Sequence, residues 1–392
     1  MSKFIEYIPI YEGDRYCLMC AQACPVRRVT KNEATSPHGW ALLVASVQRG
    51  MLQWDTESVD TLYRCADAGN CQGNCATNRP LPYAIQAARE EVVRLGYAPA
   101  SVKVVEAKLR AFGSPYGDAT NDERRTTNAD SSLVIRLDAS SHPPRIPTNT
   151  RDDASSSSVL FVGDAAYFLK PEIVPAAETL LNALGVNATR CAVGQSSGYL
   201  PYTLGLWDTA REFAKSIVRD LESSGVTQVI ALSPQDAHAL KNVYAELGVN
   251  LPDGVNVSTL VDVLANAGEK LKIEPRAPQA YTFHDASQSI RLKHHALNAR
   301  VLATQAFGAE PREMLFRESL AASIGTSGGL QYTHPALAEN LARTRIAEAK
   351  ATGAEILVTD DPLDAATLEK YADGMQVMNL YQLLAEQLAN GR

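Results

Sequence analysis

Six of the seven cysteines in this 392-residue chain stand in two short runs. One reads Asp14-Arg15-Tyr16-Cys17-Leu18-Met19-Cys20-Ala21-Gln22-Ala23-Cys24-Pro25, and the other Cys65-Ala66-Asp67-Ala68-Gly69-Asn70-Cys71-Gln72-Gly73-Asn74-Cys75-Ala76. Both fit, in register, the cluster-ligating run C-x2-C-x2-C-x3-C-P, and each is short of one cysteine. Asp14 stands at the first cysteine position of one run. Ala68 stands at the second cysteine position of the other, where Ala76 also replaces the proline. The chemistry such thiolates do is iron–sulfur binding and electron transfer. A zinc ribbon needs two C-x2-C pairs, and only Cys17 and Cys20 make one. A disulfide framework is not expected either, because no basic-then-apolar leader directs the chain to an oxidising compartment.

In two-cluster runs of this kind, three positions of one run share a cluster with the last cysteine of the other. The expected first site is Cys17, Cys20 and Cys75, with Asp14 either a fourth ligand or a solvated turn residue. The expected second site is Cys65, Cys71 and Cys24, with nothing from Ala68. Carboxylate is a harder donor than thiolate and holds an iron corner less firmly, while a methyl group cannot bind at all. Two iron–sulfur clusters are therefore expected. The second is [3Fe-4S], or [4Fe-4S] with an outside ligand on its odd iron; the first is either type.

The elements that must position these residues differ along the chain. Gly39–Gln48 and Leu81–Leu95 have helical period between and after the runs. Residues 101–158 are rich in Pro, Gly, Ser and charge, and predict a surface linker. From Val159 onward short apolar runs alternate with helical stretches: Val159–Val162, Val226–Leu232, Ala280–His284 and Glu355–Thr359 predict strands of parallel βαβ units. The His294-His295 pair falls in a polar stretch and predicts a solvated surface. Net charge is −7 with no basic block, so nucleic acid is not an expected partner. No apolar stretch reaches the eighteen residues of a membrane span. The expected location is cytoplasmic, with any membrane association made through a partner.

The chain resembles the iron–sulfur subunits of glycolate oxidase and anaerobic glycerol-3-phosphate dehydrogenase, and a fusion of the two small subunits of heterodisulfide reductase. The resemblance is carried by Cys17-x2-Cys20-x3-Cys24-Pro25, the Pro37-His38-Gly39 loop, Cys65 to Cys75, Ala-Ala-Arg89-Glu90 and Phe112-Gly-Ser-Pro-Tyr-Gly117. Downstream, Ser196-Ser197-Gly198 and Ser323-Ile324-Gly325 stand where that family has Cys-Cys-Gly. Ser233-Pro-Gln-Asp236 and Asp361-Pro-Leu-Asp364 stand for Cys-Pro-x-Cys, and His284-Asp285-Ala-Ser287 for His-Asp-Pro-Cys. The glycines and prolines survive and the cysteines do not. Hydroxyls are poor ligands for soft clusters, so the later loops lose that redox role.

The resemblance implies a mixed fold class, α+β and α/β. A mostly helical ferredoxin-like two-cluster domain spans 1–100, a linker 101–158, and a duplicated α/β module 159–275 and 276–392. It implies an electron-transfer subunit of an oxidoreductase complex, relaying electrons between a flavoprotein dehydrogenase or heterodisulfide-reductase-like partner and an acceptor. Two alternatives remain at this point. One is an enzyme with a remodelled substrate or metal pocket, where Asp236, Asp361, Asp364, His284 and Asp285 converge; the plainer reading of those aspartates is helix capping. The other is a non-redox assembly subunit with structural clusters.

Overall fold

The computed structural model describes residues 3–14, 16–118 and 157–388. The first hundred are helical, with short helices around the cysteines and longer ones that brace them: Pro37–Gln48, Thr56–Tyr63 and Leu81–Arg94. Local sequence explains their starts. Ser36 caps the Gly39 N–H with Pro37 at the first helical position, and Asp55 and Ser58 form a reciprocal capping box. Trp40, buried, donates its indole N–H to the Thr61 carbonyl at 2.8 Å and ties the first two long helices together.

The linker expected over 101–158 opens instead as the helix Ala100–Phe112. Its Val102, Val105 and Leu109 are fully buried or nearly so, a 3–4 spacing that lays one stripe on the helical core. The polar ends of this stretch outweigh that stripe in a composition reading. Residues 119–156, which hold the rest of the expected linker, lie outside the described residues.

Two parallel sheets follow. The first has strands β1 (Ser158–Val162), β2 (Ala188–Val193), β3 (Gln228–Ala231) and β4 (Asn256–Thr259) in the order β2-β1-β3-β4. The second has β5 (Tyr281–Phe283), β6 (Ile356–Thr359) and β7 (Gln376–Asn379) in the order β5-β6-β7. One succession recurs in both sheets. The middle strand runs into a loop with Pro at the first helical position (Ser233-Pro234, Asp361-Pro362), and the last strand feeds a helix capped by Thr259 or Asn379. Strands β1, β3, β5 and β6 fall where the apolar runs predict them. The strands without such a run, β2, β4 and β7, lie at sheet edges; β2 has no buried residue, and β4 and β7 are only partly buried.

The helical segment after β3 is not regular. Pro234–His238 passes through a wide π turn at Ala239–Val243 before resuming at Tyr244. The two sheets share a core that includes Leu160, Ile230, Phe283 and Val358. A second core joins the N-terminal helices to helices and loops of both later modules through Tyr63, Ala88, Leu204 and Leu330.

Candidate metal centre

The two cysteine runs lie side by side. The Asn74 side chain donates to the Met19 carbonyl at 2.6 Å, and Asn70 donates to the Ala23 carbonyl at 2.7 Å, so each run is stitched to the other next to its thiols. Cys20 is pushed up to about 11, by burial first and then by nearby Asp14, Cys17 and Cys75. Cys24 is pushed up to about 12 by burial, with Cys65 beside it, and Cys71 rises well above its usual range through burial and the closeness of Cys65 and Cys24. Cys20 also stands near Cys24 and Cys71, and Cys71 shares a cavity with Cys17, Cys20 and Cys75, so the thiols form one continuous cluster across the runs. Cys17, Cys20 and Cys75 with Asp14, on its open side, are termed the outer group. The inner group is Cys24, Cys65 and Cys71. Cys191, on β2, belongs to neither.

A cavity of about 200 Å³ opens on the outer group, lined by Asp14, Cys17, Cys20, Cys71 and Cys75 with apolar Ile10, Met19 and Leu81. His38 also lines it, and its Nδ1 is hydrogen-bonded to Asp14 Oδ2. The other Asp14 oxygen accepts from the Tyr16 N–H at 3.3 Å, and the Tyr16 ring meets the His38 ring edge-on at 4.9 Å. Asp14 is therefore a held carboxylate at the cavity wall, neither free nor at the end of a loose turn. Cys17 is exposed and Tyr16, Leu18 and Met19 are large exposed apolar residues beside it. Cys75 differs from the other thiols. Burial pushes it up, but the Thr77 hydroxyl, the Arg79 and Thr77 N–H groups and the Arg79 guanidinium outweigh burial and lower it.

The inner group is enclosed by the two later modules. Cys24, Cys65 and Ala68 are buried. Gly69, at φ 78°, lies so close to Ile290 that a Cβ would come within 2.7 Å of its side chain. Gly328 is pressed against the same run, where a Cβ would meet the Ala66 carbonyl carbon at 2.5 Å, and Ser327 donates to the Ala66 carbonyl at 3.1 Å. Asp67 forms a buried ion pair with Arg291 at 2.8 Å and also accepts from Gln86, Thr203 and the Tyr199 hydroxyl. Arg89 is wholly buried and donates to the Cys65 carbonyl at 2.7 Å. Arg89 is visible in the sequence as part of Ala-Ala-Arg-Glu. Arg291 carries no local signal, because only the packing of the second module brings it to Asp67.

The five polar residues read as a possible second pocket do not act alike. Asp361 caps its helix, accepting from the Leu363 and Asp364 N–H groups at 2.9 Å, and also accepts from Ser233 at 2.6 Å across the two modules. Burial, then neighbouring Asp364, raises Asp361 to about 7. Asp236 is raised by burial and by Asp164, against a Ser197 hydrogen bond. Asp364 is held by Thr326 at 2.5 Å and by His284 Nε2 at 3.1 Å, and His284 Nδ1 accepts from Arg345 at 3.0 Å. Asp285 leaves the group, paired through both oxygens to Arg300. His295, expected in solvent, is buried against Asp360 at 2.6 Å; only His294 is exposed.

Among the described residues, no three His, Cys, Asp or Glu side chains converge tightly enough to hold a single ion. An iron–sulfur cluster bridges its thiolates through a cage of iron and sulfide, which spreads them further apart than one ion does. The donor set suits such a group. Thiols from the two runs come together, and thiols raised by burial ionise only against a positive centre.

No family model matches the chain. Over 327 residues it is 22% identical to a subunit of the dihydromethanophenazine:CoB–CoM heterodisulfide reductase of Methanosarcina acetivorans, spanning 82% of this chain and 75% of that protein. The corresponding protein of Methanosarcina barkeri is 23% identical over 345 residues, 85% of this chain and 79% of its own length. A crystal structure of a hypothetical protein from Helicobacter pylori shares the fold, with TM-score 0.56 and 11% identity over 91% of this chain and 68% of that one. The chain is thus distantly similar, over most of its length, to one component of heterodisulfide reductase. Among the described residues no helix is long and apolar enough to cross a membrane.

Proposed function

We propose that this chain is an electron-transfer iron–sulfur subunit of an oxidoreductase complex, passing electrons one at a time between a flavin-containing partner and an acceptor. The observation that carries this reading is that the cysteines of two distant runs come together at one place in the fold. Bound clusters would supply one-electron redox chemistry at potentials set by ligand, burial and hydrogen bonding to sulfur. Cys17, Cys20 and Cys75 would hold the outer cluster, with Asp14 beside it, and Cys24, Cys65 and Cys71 the inner one.

The residues around these groups support a relay. Asn70 and Asn74 keep the runs in register, so the two groups stay at a fixed separation. Exposed Cys17 puts the outer group within reach of a docked partner, while Cys24 and Cys65 of the inner group are buried, with Ile290 and the Gly328 loop packed against the second run. Ala68 offers no donor, which favours [3Fe-4S] at the inner site. The distant similarity to a heterodisulfide reductase component agrees with a place in a multi-subunit complex, in the cytoplasm or held at a membrane by its partner.

Anaerobic purification with iron and sulfide analysis, followed by electron paramagnetic resonance, tests the reading. Two clusters per chain and an oxidised [3Fe-4S] signal that bleaches on reduction are expected. Clusters that accept no electron at any accessible potential would replace the relay with a structural role. A flavoprotein retained through purification of the native complex is the expected partner.

A further inference from the structure

We propose that Arg89 is the fixed counter-cation of the inner thiol group, held there partly by the two C-terminal modules. The potential of a cluster on Cys24, Cys65 and Cys71 is then coupled to the seating of those modules. The proposal rests on the relay reading above.

Arg89 is 0% exposed. All its hydrogen bonds go to main-chain carbonyls: Nη2 donates to Cys65 at 2.7 Å and Leu62 at 3.2 Å, Nη1 to Thr203 at 2.9 Å and Gly328 at 3.4 Å. The guanidinium lies 4.8 Å from the Tyr63 ring centre, and its Nε has no acceptor. Among the described residues no carboxylate stands within ion-pair distance of it. The other buried arginines are treated differently. Arg291 has Asp67, Arg300 has Asp285 and Glu313, and Arg345 has Glu348. A buried cation without an anion is strongly disfavoured, so a fold that keeps one must supply negative charge nearby.

The nearest source is the thiol group itself. Arg89 Nη2 is bound at 2.7 Å to the carbonyl oxygen of Cys65, the residue that bears one of those thiols. Asp67 does not serve, since its oxygens are occupied by Arg291, Gln86, Tyr199 and Thr203. A thiolate-ligated cluster is an anion, and one-electron reduction adds to its charge. A fixed cation beside it therefore stabilises the reduced form more than the oxidised form and raises the potential. Thr203 comes from the first module and Gly328 from the second, so both orient the guanidinium. This gives the cysteine-depleted half a part in the inner site without a thiolate of its own.

The test uses the full chain, purified anaerobically, as Arg89→Met and Arg89→Lys, with the outer cluster as internal reference in a redox titration followed by electron paramagnetic resonance. In Arg89→Met the equilibrium constant for reducing the inner cluster is expected to fall at least tenfold, about 59 mV for one electron. Arg89→Lys, which keeps the charge, should recover most of that shift, and the outer cluster should not move. An inner potential unmoved in Arg89→Met, with its iron intact, would overturn the proposal alone; absence of inner iron in the unaltered protein would overturn the relay reading with it. If Arg89→Met loses its cluster or fails to fold, the unaltered chain decides. Chelating its iron should cost Leu81–Arg94, Tyr199–Thr203 and residues 325–329 protection from hydrogen exchange, and unchanged protection rejects the coupling.

Discussion

The N-terminal thiol groups and the C-terminal module loops are the two places where the resembled family carries cysteines, and this chain treats them in opposite ways. In the N-terminal runs the soft donors remain, gathered near a buried arginine that has no carboxylate. In the module loops, Ser233 bonds Asp361, Thr326 and His284 hold Asp364, and Ser323 accepts from the Gly325 N–H at 3.0 Å. Polar side chains placed to satisfy one another have largely closed the second region. The first keeps charge and donors that only an added group would satisfy. The loops nevertheless retain their glycines, because Gly328 must approach the Ala66 backbone closely.

The largest effect that would break this contrast is on iron. Cys71→Ser is expected to remove the inner cluster, and Ser323→Ala to leave the iron content unchanged; iron analysis of both variants checks this, and loss of iron from Ser323→Ala would place a cluster in the modules after all. Next is the seam between the regions. Asp67→Ala strands Arg291 in a buried site and should cost about 3–5 kcal/mol, read from the denaturant midpoint. Ala68→Cys should convert the inner cluster from three irons to four with little change in that midpoint, and an unchanged spectrum would refute the ligand set.

The pH response sharpens the module side. Burial, then Asp364, lifts the Asp361 carboxyl from 3.8 to about 7, so the folded state keeps a proton that the unfolded chain releases. Its contribution to stability is full below pH 3.8 and is lost as pH rises through about 7. Asp361→Asn retains a capping side chain and should flatten the pH dependence of the denaturation midpoint across that window. The smallest effect belongs to Asp14, at the partly exposed outer site. Asp14→Asn should shift stability by less than about 1 kcal/mol while altering the outer cluster's spectrum if the carboxylate binds iron.

The cysteine spacing alone supplies the proposed donors and the two gaps at Asp14 and Ala68, because such runs are local and their register is independent of later packing. The apolar runs indicated four of the seven strands, those buried between neighbours or against the helices. They could not indicate β2, β4 and β7, whose partly exposed edges carry no such run, nor the stripe of Val102, Val105 and Leu109 within a polar surrounding. Only the tertiary structure decided which residues became partners across distance: His38 with Asp14, Arg291 with Asp67, Asp361 with Ser233, and Arg89 beneath Cys65. Those pairs lie between 24 and 224 residues apart. Nothing local specifies them; they follow from the shared burial of helices and sheets that places each polar group where it must find its counterpart.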